Sequence, residues 1–191
     1  TRLKRTLNEP ATPSRLSPGR CFIFHVIASQ RARRRGNPVY NGGISMKLPI
    51  SDRLLACCNF VSPGERVADI GCDHGYLAIH LLQTGKARSV IASDINEGPL
   101  QSAVRNAEKY GVLDKIEFHL SDGARDIPRD FDTMVFAGMG ADTMISILEA
   151  APWLRDAKYR LVLQCQSKTP MLRRYLTQNG CSQCCSARVA A

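Results

Sequence analysis

The sequence lacks any apolar run long enough to cross a membrane as a helix. Such a span needs about 18–20 consecutive apolar residues, whereas the nearest candidate, residues 21–29, is short and is followed by a cluster of arginines. No small-residue cleavage site follows this stretch, which argues against a secretory signal peptide. We therefore expect no membrane partner and a cytoplasmic location.

The eight cysteines lack the partners that a structural zinc site would need. Cys181, Cys184 and Cys185 are closely spaced like a metal hook, but neither a second cysteine pair nor a histidine lies near them. Zinc in structural sites takes four ligands, and four cannot be assembled here. Disulfides are also unexpected without a secretory signal. The sequence predicts reduced thiols and no metal.

Acidic residues are almost missing from the first 45 positions. This stretch holds nine Lys and Arg residues against a single acid, Glu9, whereas residues 46–191 hold 17 basic and 16 acidic residues. Its prolines break helices and its like charges repel, so residues 1–45 are predicted to be a disordered or non-native extension. The alternative is a basic arm that binds RNA. Any RNA surface on the remaining chain must be a local patch.

Short apolar segments alternate with helical patterns from residue 46 onwards. This alternation is typical of βαβ units on a parallel sheet, and right-handed crossovers make the sheet doubly wound. The folded domain is predicted to span residues 46–180, and residues 181–191 form a tail without clear periodicity. The predicted strands are residues 66–70, 89–93, 115–120, 132–137 and 160–164, and the predicted helices are residues 51–61, 76–83, 99–110, 143–150 and 169–178.

The loop after the first of these strands carries the strongest functional signal. Gly71 allows a sharp turn and close approach of a ligand, and Gly75 allows the following helix to pack near the loop. Asp73 occupies the middle glycine position of the dinucleotide fingerprint, and an acidic loop suits a pyrophosphate poorly. The pattern favours a ligand with an ammonium and a sulfonium, S-adenosylmethionine rather than NAD. The residues predicted to bind this cofactor are Asp69, Gly71, Cys72, Asp73, His74 and Gly75.

Two further acids follow the next predicted strands. Asp94, beside Ile95, stands about 20 residues beyond the loop, which is the spacing of an acid that binds ribose hydroxyls. Asp122, beside Gly123, follows the third strand, where a carboxylate can meet the exocyclic amine of adenine. Each acid alone could instead cap or turn the chain. As a set at successive strand ends, they predict one cofactor site.

The fourth strand ends in Gly138, Met139 and Gly140, and we predict that these residues hold the methyl acceptor and form the catalytic opening. Two glycines allow the backbone to approach a planar base, although a simple strand-to-helix turn is the alternative. Arg53 is predicted to bind RNA phosphate, with a surface salt bridge as the alternative. His74 could contact base or cofactor or only pack the loop. No general base is evident.

These motifs resemble the tRNA (adenine-22-N1)-methyltransferase family of bacteria. The matching stretches are residues 51–54, 68–77, 93–100, 121–123 and 137–140, within a resemblance that covers roughly residues 48–180. Cys165, which follows the glutamine of the fifth strand, departs from the proline usual in the family. The resemblance implies a Rossmann-like class I methyltransferase fold and transfer of a methyl group from S-adenosylmethionine to N1 of an adenine in the D arm of tRNA.

The family continues beyond this resemblance with two more strands and a helical coiled-coil domain. The resemblance therefore implies a C-terminally truncated chain with an incomplete sheet, in which strand 160–164 is an open apolar edge. Two alternatives to tRNA methylation stay open: methyl transfer to another substrate, and a catalytically inactive RNA-binding relic. A dehydrogenase is disfavoured by Asp73.

Overall fold

The computed structural model describes residues 23–29, 48–180 and 182–189, with side-chain detail for Val26, Ile27 and residues 48–180. Strands and helices alternate along this part of the chain. The strands are β1 (Ile23–Ser29), β2 (Glu65–Ile70), β3 (Ala87–Asp94), β4 (Ile116–Leu120), β5 (Thr133–Gly140), β6 (Arg160–Ser167) and β7 (Ser182–Val189). The helices are α1 (Asp52–Cys58), α2 (Tyr76–Gln83), α3 (Glu97–Lys109), α4 (Ala141–Ala150) and α5 (Thr169–Gln178), with 3₁₀ turns at Leu113–Lys115 and Pro152–Arg155.

All described strands join one parallel sheet in the order β4-β3-β2-β5-β6-β1-β7. Alternate residues of a strand point to opposite faces, and the core is accordingly divided into two layers. Val67 and Val135 pack with residues of α1, α2 and α3 on one face. Ala68 and Phe136 pack with residues of α4 and α5 on the other. The predicted doubly wound α/β architecture is confirmed.

The five predicted strands and five predicted helices all form, with small shifts at their ends. Helices α2 and α5 begin and end where the pattern predicts, whereas α1 ends at Cys58 rather than Val61. Strands β5 and β6 run further, to Gly140 and Ser167. The glycines at the end of β5 therefore lie within a strand of irregular register, and not in a turn after it.

The prediction that strand 160–164 forms an open edge is wrong. β1 pairs in parallel along β6, from Ile23 opposite Arg160 to Ala28 opposite Cys165. β7 then pairs in parallel with β1, so the sheet has seven strands and not five. An unpaired apolar edge is a template for another strand. An apolar segment of this same chain occupies it, although more than a hundred residues separate the two.

Part of the extension that was predicted to be disordered or non-native, Ile23–Ser29, forms a strand, and its Val26 and Ile27 are fully buried in the core. β-branched and aromatic residues favour strands, and this short run outweighs the surrounding prolines and arginines locally. The rest of residues 1–45, apart from that strand, lies outside the described residues. In the C-terminal tail, Ser182–Val189 forms β7.

The sequence predicts neither a membrane span nor a metal site. No described helix is long and apolar enough to cross a membrane. Within residues 48–180, His, Cys, Asp and Glu side chains form no group suited to a metal ion. The hook of Cys181, Cys184 and Cys185 lies outside the described side chains.

We predict that Ile27→Ala lowers the free energy of unfolding by about 2–5 kcal/mol, the usual cost of removing a fully buried isoleucine side chain. Urea unfolding followed by circular dichroism measures this loss. The matched control is Leu113→Ala, because Leu113 is 41% exposed and should change stability by less than about 0.5 kcal/mol. Equal stability of Ile27→Ala and the wild-type protein would contradict the placement of β1 beside β6.

Candidate functional site

The carboxyl ends of β2 and β3 are joined by backbone hydrogen bonds through the loop after β2. Gly71 N and Cys72 N both donate to the carbonyl oxygen of Ser93, at 2.8 and 2.9 Å. Asp73 N donates to Oδ2 of Asp94 at 3.2 Å. The loop is therefore held against the end of β3, which places the predicted acids of both strands together.

Asp94 organises the start of α3 as well. Its Oδ1 accepts a hydrogen bond from Asn96 N at 2.9 Å, and the residue is only 8% exposed. A carboxylate has about four acceptor sites, so each oxygen of Asp94 keeps capacity for a further donor. The carboxylate is consequently fixed in orientation and still able to accept hydroxyl protons.

Both glycines of the loop adopt left-handed backbone conformations. Gly71 has φ +70°, and a Cβ there would clash with Cε of Met139 on β5. Gly75 has φ +72°, and a Cβ there would lie 3.0 Å from the Cβ of Ala103 in α3. Gly75 therefore permits close packing of α3. The sequence had suggested instead that it allows packing of the helix that directly follows it, α2.

A cleft opens between this loop, helix α1 and the end of β5. It brings together most of the predicted first-loop residues, the predicted RNA-binding arginine and two of the three predicted acceptor-site residues. Apolar side chains that the sequence analysis had not singled out complete its walls. The lining residues are Arg53, Leu54, Asp69, Gly71, Cys72, Asp73, His74, Tyr76, Leu77, Ala137, Gly138 and Met139.

Asp69, at the end of β2, is a buried acid on this cleft. It is 2% exposed, and its Oδ2 has no hydrogen-bond partner among the described residues. Burial, with a smaller contribution from the charge of Asp94, raises the pKa of Asp69 to about 7. A buried carboxyl with a free acceptor atom favours a cationic ligand nearby, because a positive charge stabilises its ionised form.

The cysteines near the cleft are not arranged for nucleophilic chemistry. Cys57, Cys58 and Cys72 are free and buried. Burial raises the pKa of all three thiols, that of Cys58 to about 12. Since the thiolate is the reactive species, these side chains act as small apolar residues of the core, and Cys72 alone among them also lines the cleft.

The end of β5 forms the opposite wall through a β-bulge. The pairing of β5 with β6 passes from Ala137 opposite Gln164 to Met139 opposite Cys165, which leaves Gly138 without a partner in the ladder. Gly138 has φ +86°, and a Cβ built on it would lie 3.8 Å from Nη2 of Arg53. The bulge thus turns the backbone of Gly138 towards the arginine at the mouth of the cleft.

The side chain of His74 lies exposed at this mouth. Nε2 of His74 lies 3.6 Å from Oδ1 of Asp73, and both side chains are at least half exposed. The His74 ring centroid lies 5.7 Å from that of Tyr76. Asn106 of α3 donates to the carbonyl oxygen of His74 at 2.9 Å. The His74 side chain is therefore available to a ligand, while its backbone is fixed.

The remaining predicted site residues lie beside the cleft and do not line it. Ser121 N donates to the carbonyl oxygen of Asp94 at 2.9 Å, so the residues after β4 adjoin β3. Asp122 there is paired with Arg125 at 2.9 Å and is half exposed. Gly123 packs towards α4, since a Cβ on it would lie 2.8 Å from Ile147.

Two other predicted residues have distinct surroundings. Ile95 follows Asp94 and is 61% exposed. Gly140 ends β5, and a Cβ there would lie 2.8 Å from Oγ of Ser167 on β6. Gly140 therefore allows close approach of the two strands, whereas Ile95 offers an apolar surface at the edge of the site.

Gln164 is a site residue that the sequence analysis missed. It is fully buried in β6, and its Oε1 accepts a hydrogen bond from Gly138 N at 2.8 Å. The available signal was an amide that directly follows the apolar run 161–163, since buried polar side chains are normally present for a hydrogen bond.

A second polar cleft lies at the opposite edge of the sheet, where the strands begin. Its ionic groups are mostly paired with each other: Arg160 with Glu65 at 2.6 Å, and Arg88 with Asp132 at 3.1 Å. Ligands of open parallel sheets bind beyond the carboxyl ends of the strands. We therefore assign a structural role to this second cleft.

The chain is similar in sequence to known proteins. The model of a methyltransferase domain family matches residues 50–184. A Bacillus subtilis tRNA (adenine(22)-N(1))-methyltransferase is 35% identical over 131 residues, which are 68% of this chain and 55% of the relative.

Solved structures with bound ligands resemble the chain as well. A Streptococcus pneumoniae protein assigned to the tRNA (m1A22) methyltransferases, in complex with S-adenosyl-L-methionine, is 36% identical with a TM-score of 0.64, over 69% of this chain and 62% of that one. The M. capricolum enzyme in complex with S-adenosyl-homocysteine is 29% identical with a TM-score of 0.57, over 68% and 57%. The chain spans little more than half the length of the curated relatives it matches first.

The raised pKa of Asp69 predicts a pH-dependent penalty on folding. Between about pH 4 and pH 7 the native state keeps a proton on Asp69 that the unfolded state has lost, so this residue's contribution to stability falls as pH rises. Asp69→Asn removes the penalty. Relative to wild type, the variant should gain about 1–3 kcal/mol in free energy of unfolding between about pH 5 and about pH 8.

Urea unfolding at both pH values measures this difference in the absence of ligand. Asp114→Asn, at an exposed position in a 3₁₀ turn, is the matched control and should show no such trend. A stability difference between Asp69→Asn and wild type that is independent of pH would show that Asp69 is ionised throughout.

Proposed function

The chain belongs to the methyltransferase-domain family, and we propose that it transfers a methyl group from S-adenosylmethionine to N1 of an adenine at position 22 of tRNA. The observation that carries this proposal is the cleft where Asp69, Asp73 and the backbone of Gly138 meet at the carboxyl ends of β2 and β5. Similarity to tRNA (adenine(22)-N(1))-methyltransferases supports the choice of acceptor.

The residues on the cofactor side fit a cationic nucleoside. Asp69 offers a buried carboxyl oxygen that lacks a partner among the described residues, which suits an ammonium or sulfonium group. Asp94 is oriented by two backbone amides and can accept ribose hydroxyls. We assign the adenine of the cofactor to the side of Asp122, Gly123 and Ile95.

The chemistry asks little of the protein beyond alignment. S-adenosylmethionine supplies a methyl group activated by its sulfonium, and the lone pair of adenine N1 displaces the sulfur, which keeps the electrons of the broken C–S bond. The chain's residues orient the two reactants and exclude water, and such alignment can lower the barrier substantially. We assign the acceptor opening to Gly138, Met139 and Gly140, and no general base is required for the transfer itself.

The acceptor base must leave its stack to reach the cleft, as is usual for enzymes that modify a base. Arg53 stands at the mouth beside Gly138. We propose that its guanidinium binds an RNA phosphate next to the extruded adenine, since no described acid forms an ion pair with it.

The described cysteines are free, and a cytoplasmic location, where tRNA is modified, accords with free thiols.

We predict that Asp94→Ala lowers the affinity for S-adenosylmethionine at least about 10-fold, because the ribose loses a charged acceptor and the loop loses a hydrogen bond. Isothermal titration calorimetry measures the dissociation constant. Asp130→Ala is the control. Asp130 is an exposed acid near the start of the strands, away from their carboxyl ends, and this variant should bind S-adenosylmethionine like wild type. Unchanged affinity of Asp94→Ala would remove this residue from the site.

We predict that Arg53→Ala raises KM for tRNA roughly 10-fold and leaves the affinity for S-adenosylmethionine within about twofold of wild type, because the lost contact is to phosphate. Methyl incorporation into tRNA transcripts, with adenine or guanine at position 22, measures both the rate and the site. Arg155→Ala, at an arginine that does not line the cleft, is the control and should keep the wild-type KM for tRNA. Equal incorporation into both transcripts would indicate another substrate, and calorimetric silence of the wild-type chain would favour the inactive relic.

A further inference from the structure

Two glutamines of β6 reach the bulge that forms the acceptor wall. Gln164 is fully buried, and its Oε1 accepts the hydrogen bond from Gly138 N at 2.8 Å. Gln166, two residues further along the strand, is exposed, and its Nε2 would lie 3.3 Å from a Cβ on Gly138. Both amides are therefore close to the same glycine, one inside the core and one at the surface.

The buried amide replaces a missing backbone partner. A β-bulge leaves one residue of a strand unpaired in the ladder, and Gly138 is that residue, between Ala137 opposite Gln164 and Met139 opposite Cys165. An N–H that is shielded from water and has no partner destabilises the folded state. The side chain of Gln164 satisfies this N–H and so stabilises the bulge.

The bulge determines where the neighbouring side chains lie. Ala137, Gly138 and Met139 all line the cleft. The side chain of Met139 crosses to Gly71, where any Cβ would meet its Cε. One hydrogen bond, from Gly138 N to Oε1 of Gln164, thus positions the wall that faces the cofactor loop, although Gln164 itself does not line the cleft.

Packing alone does not explain a glutamine at this position. Nε2 of Gln164 is buried and has no hydrogen-bond partner among the described residues. An apolar side chain of similar size would avoid the cost of that unsatisfied donor. The amide oxygen does form a hydrogen bond, which it accepts from Gly138 N.

We propose that Gln164 is a positioning residue for methyl transfer, which fixes the Gly138 bulge so that the acceptor base meets the methyl group in line. This inference rests on the proposed function, because it assigns the bulge to the acceptor side of that reaction. It locates the effect in the transfer step and not in cofactor binding.

The decisive variant is Gln164→Met, which keeps the length of the side chain and removes the acceptor oxygen. We expect kcat for methylation of the tRNA transcript to fall roughly 10- to 100-fold, because a displacement of about 1 Å at a reacting centre has an effect of this size. The dissociation constant for S-adenosylmethionine should stay within about twofold of wild type.

Two further variants separate positioning from folding. Gln164→Glu retains an oxygen that can accept from Gly138 N and should restore most of the lost kcat. Leu163→Met places the same new side chain at the adjacent, fully buried position and should leave kcat nearly unchanged. Thermal unfolding of all three shows that each variant is folded at the assay temperature.

The possible outcomes are distinct. A fall in kcat for Gln164→Met alone, with rescue by Gln164→Glu, supports the inference. The inference is overturned if kcat of Gln164→Met stays within about twofold of wild type. It is also overturned if this variant loses affinity for S-adenosylmethionine by the same factor as kcat and Gln164→Glu does not restore kcat. A wild-type chain that binds S-adenosylmethionine and methylates no tRNA rejects the proposed function, and the inference with it.

Discussion

The attachment of the first loop to the end of β3 is the contact on which the site depends. Ser93 accepts two backbone amides of the loop, and Asp94 accepts a third through its side chain. Without these bonds the loop after β2, which begins beside Asp69, would no longer be held against Asp94. The fold supplies the parallel strand ends, but these three hydrogen bonds turn two neighbouring ends into one site.

That arrangement carries an electrostatic cost that a ligand can offset. Asp69 is buried near Asp94, so its pKa rises to about 7 and part of the population is neutral near neutral pH. A cation in the cleft stabilises the ionised form and lowers this cost. The acids that destabilise the fold are thus the groups that would hold a sulfonium nucleoside, as expected when functional sites oppose local stability.

Much of the fold and part of the site could be predicted from sequence. Local patterns were sufficient for α2, α5 and the five strands from β2 to β6, because each follows its own periodicity and turn signals. The strand Ile23–Ser29 was missed because its pairing with β6 is long-range and its flanks are basic. Gln164 was missed for the same kind of reason: its partner, Gly138, lies on another strand, and only the bulge makes the amide necessary.

A crystal structure of the full chain with S-adenosylhomocysteine tests the account most directly. We predict that the ribose hydroxyls contact Asp94, that the amino group lies near Asp69 or Asp73, and that the sulfur faces Gly138. Ligand bound instead in the cleft of Glu65, Arg88 and Arg160, at the opposite edge of the sheet, would contradict the assignment.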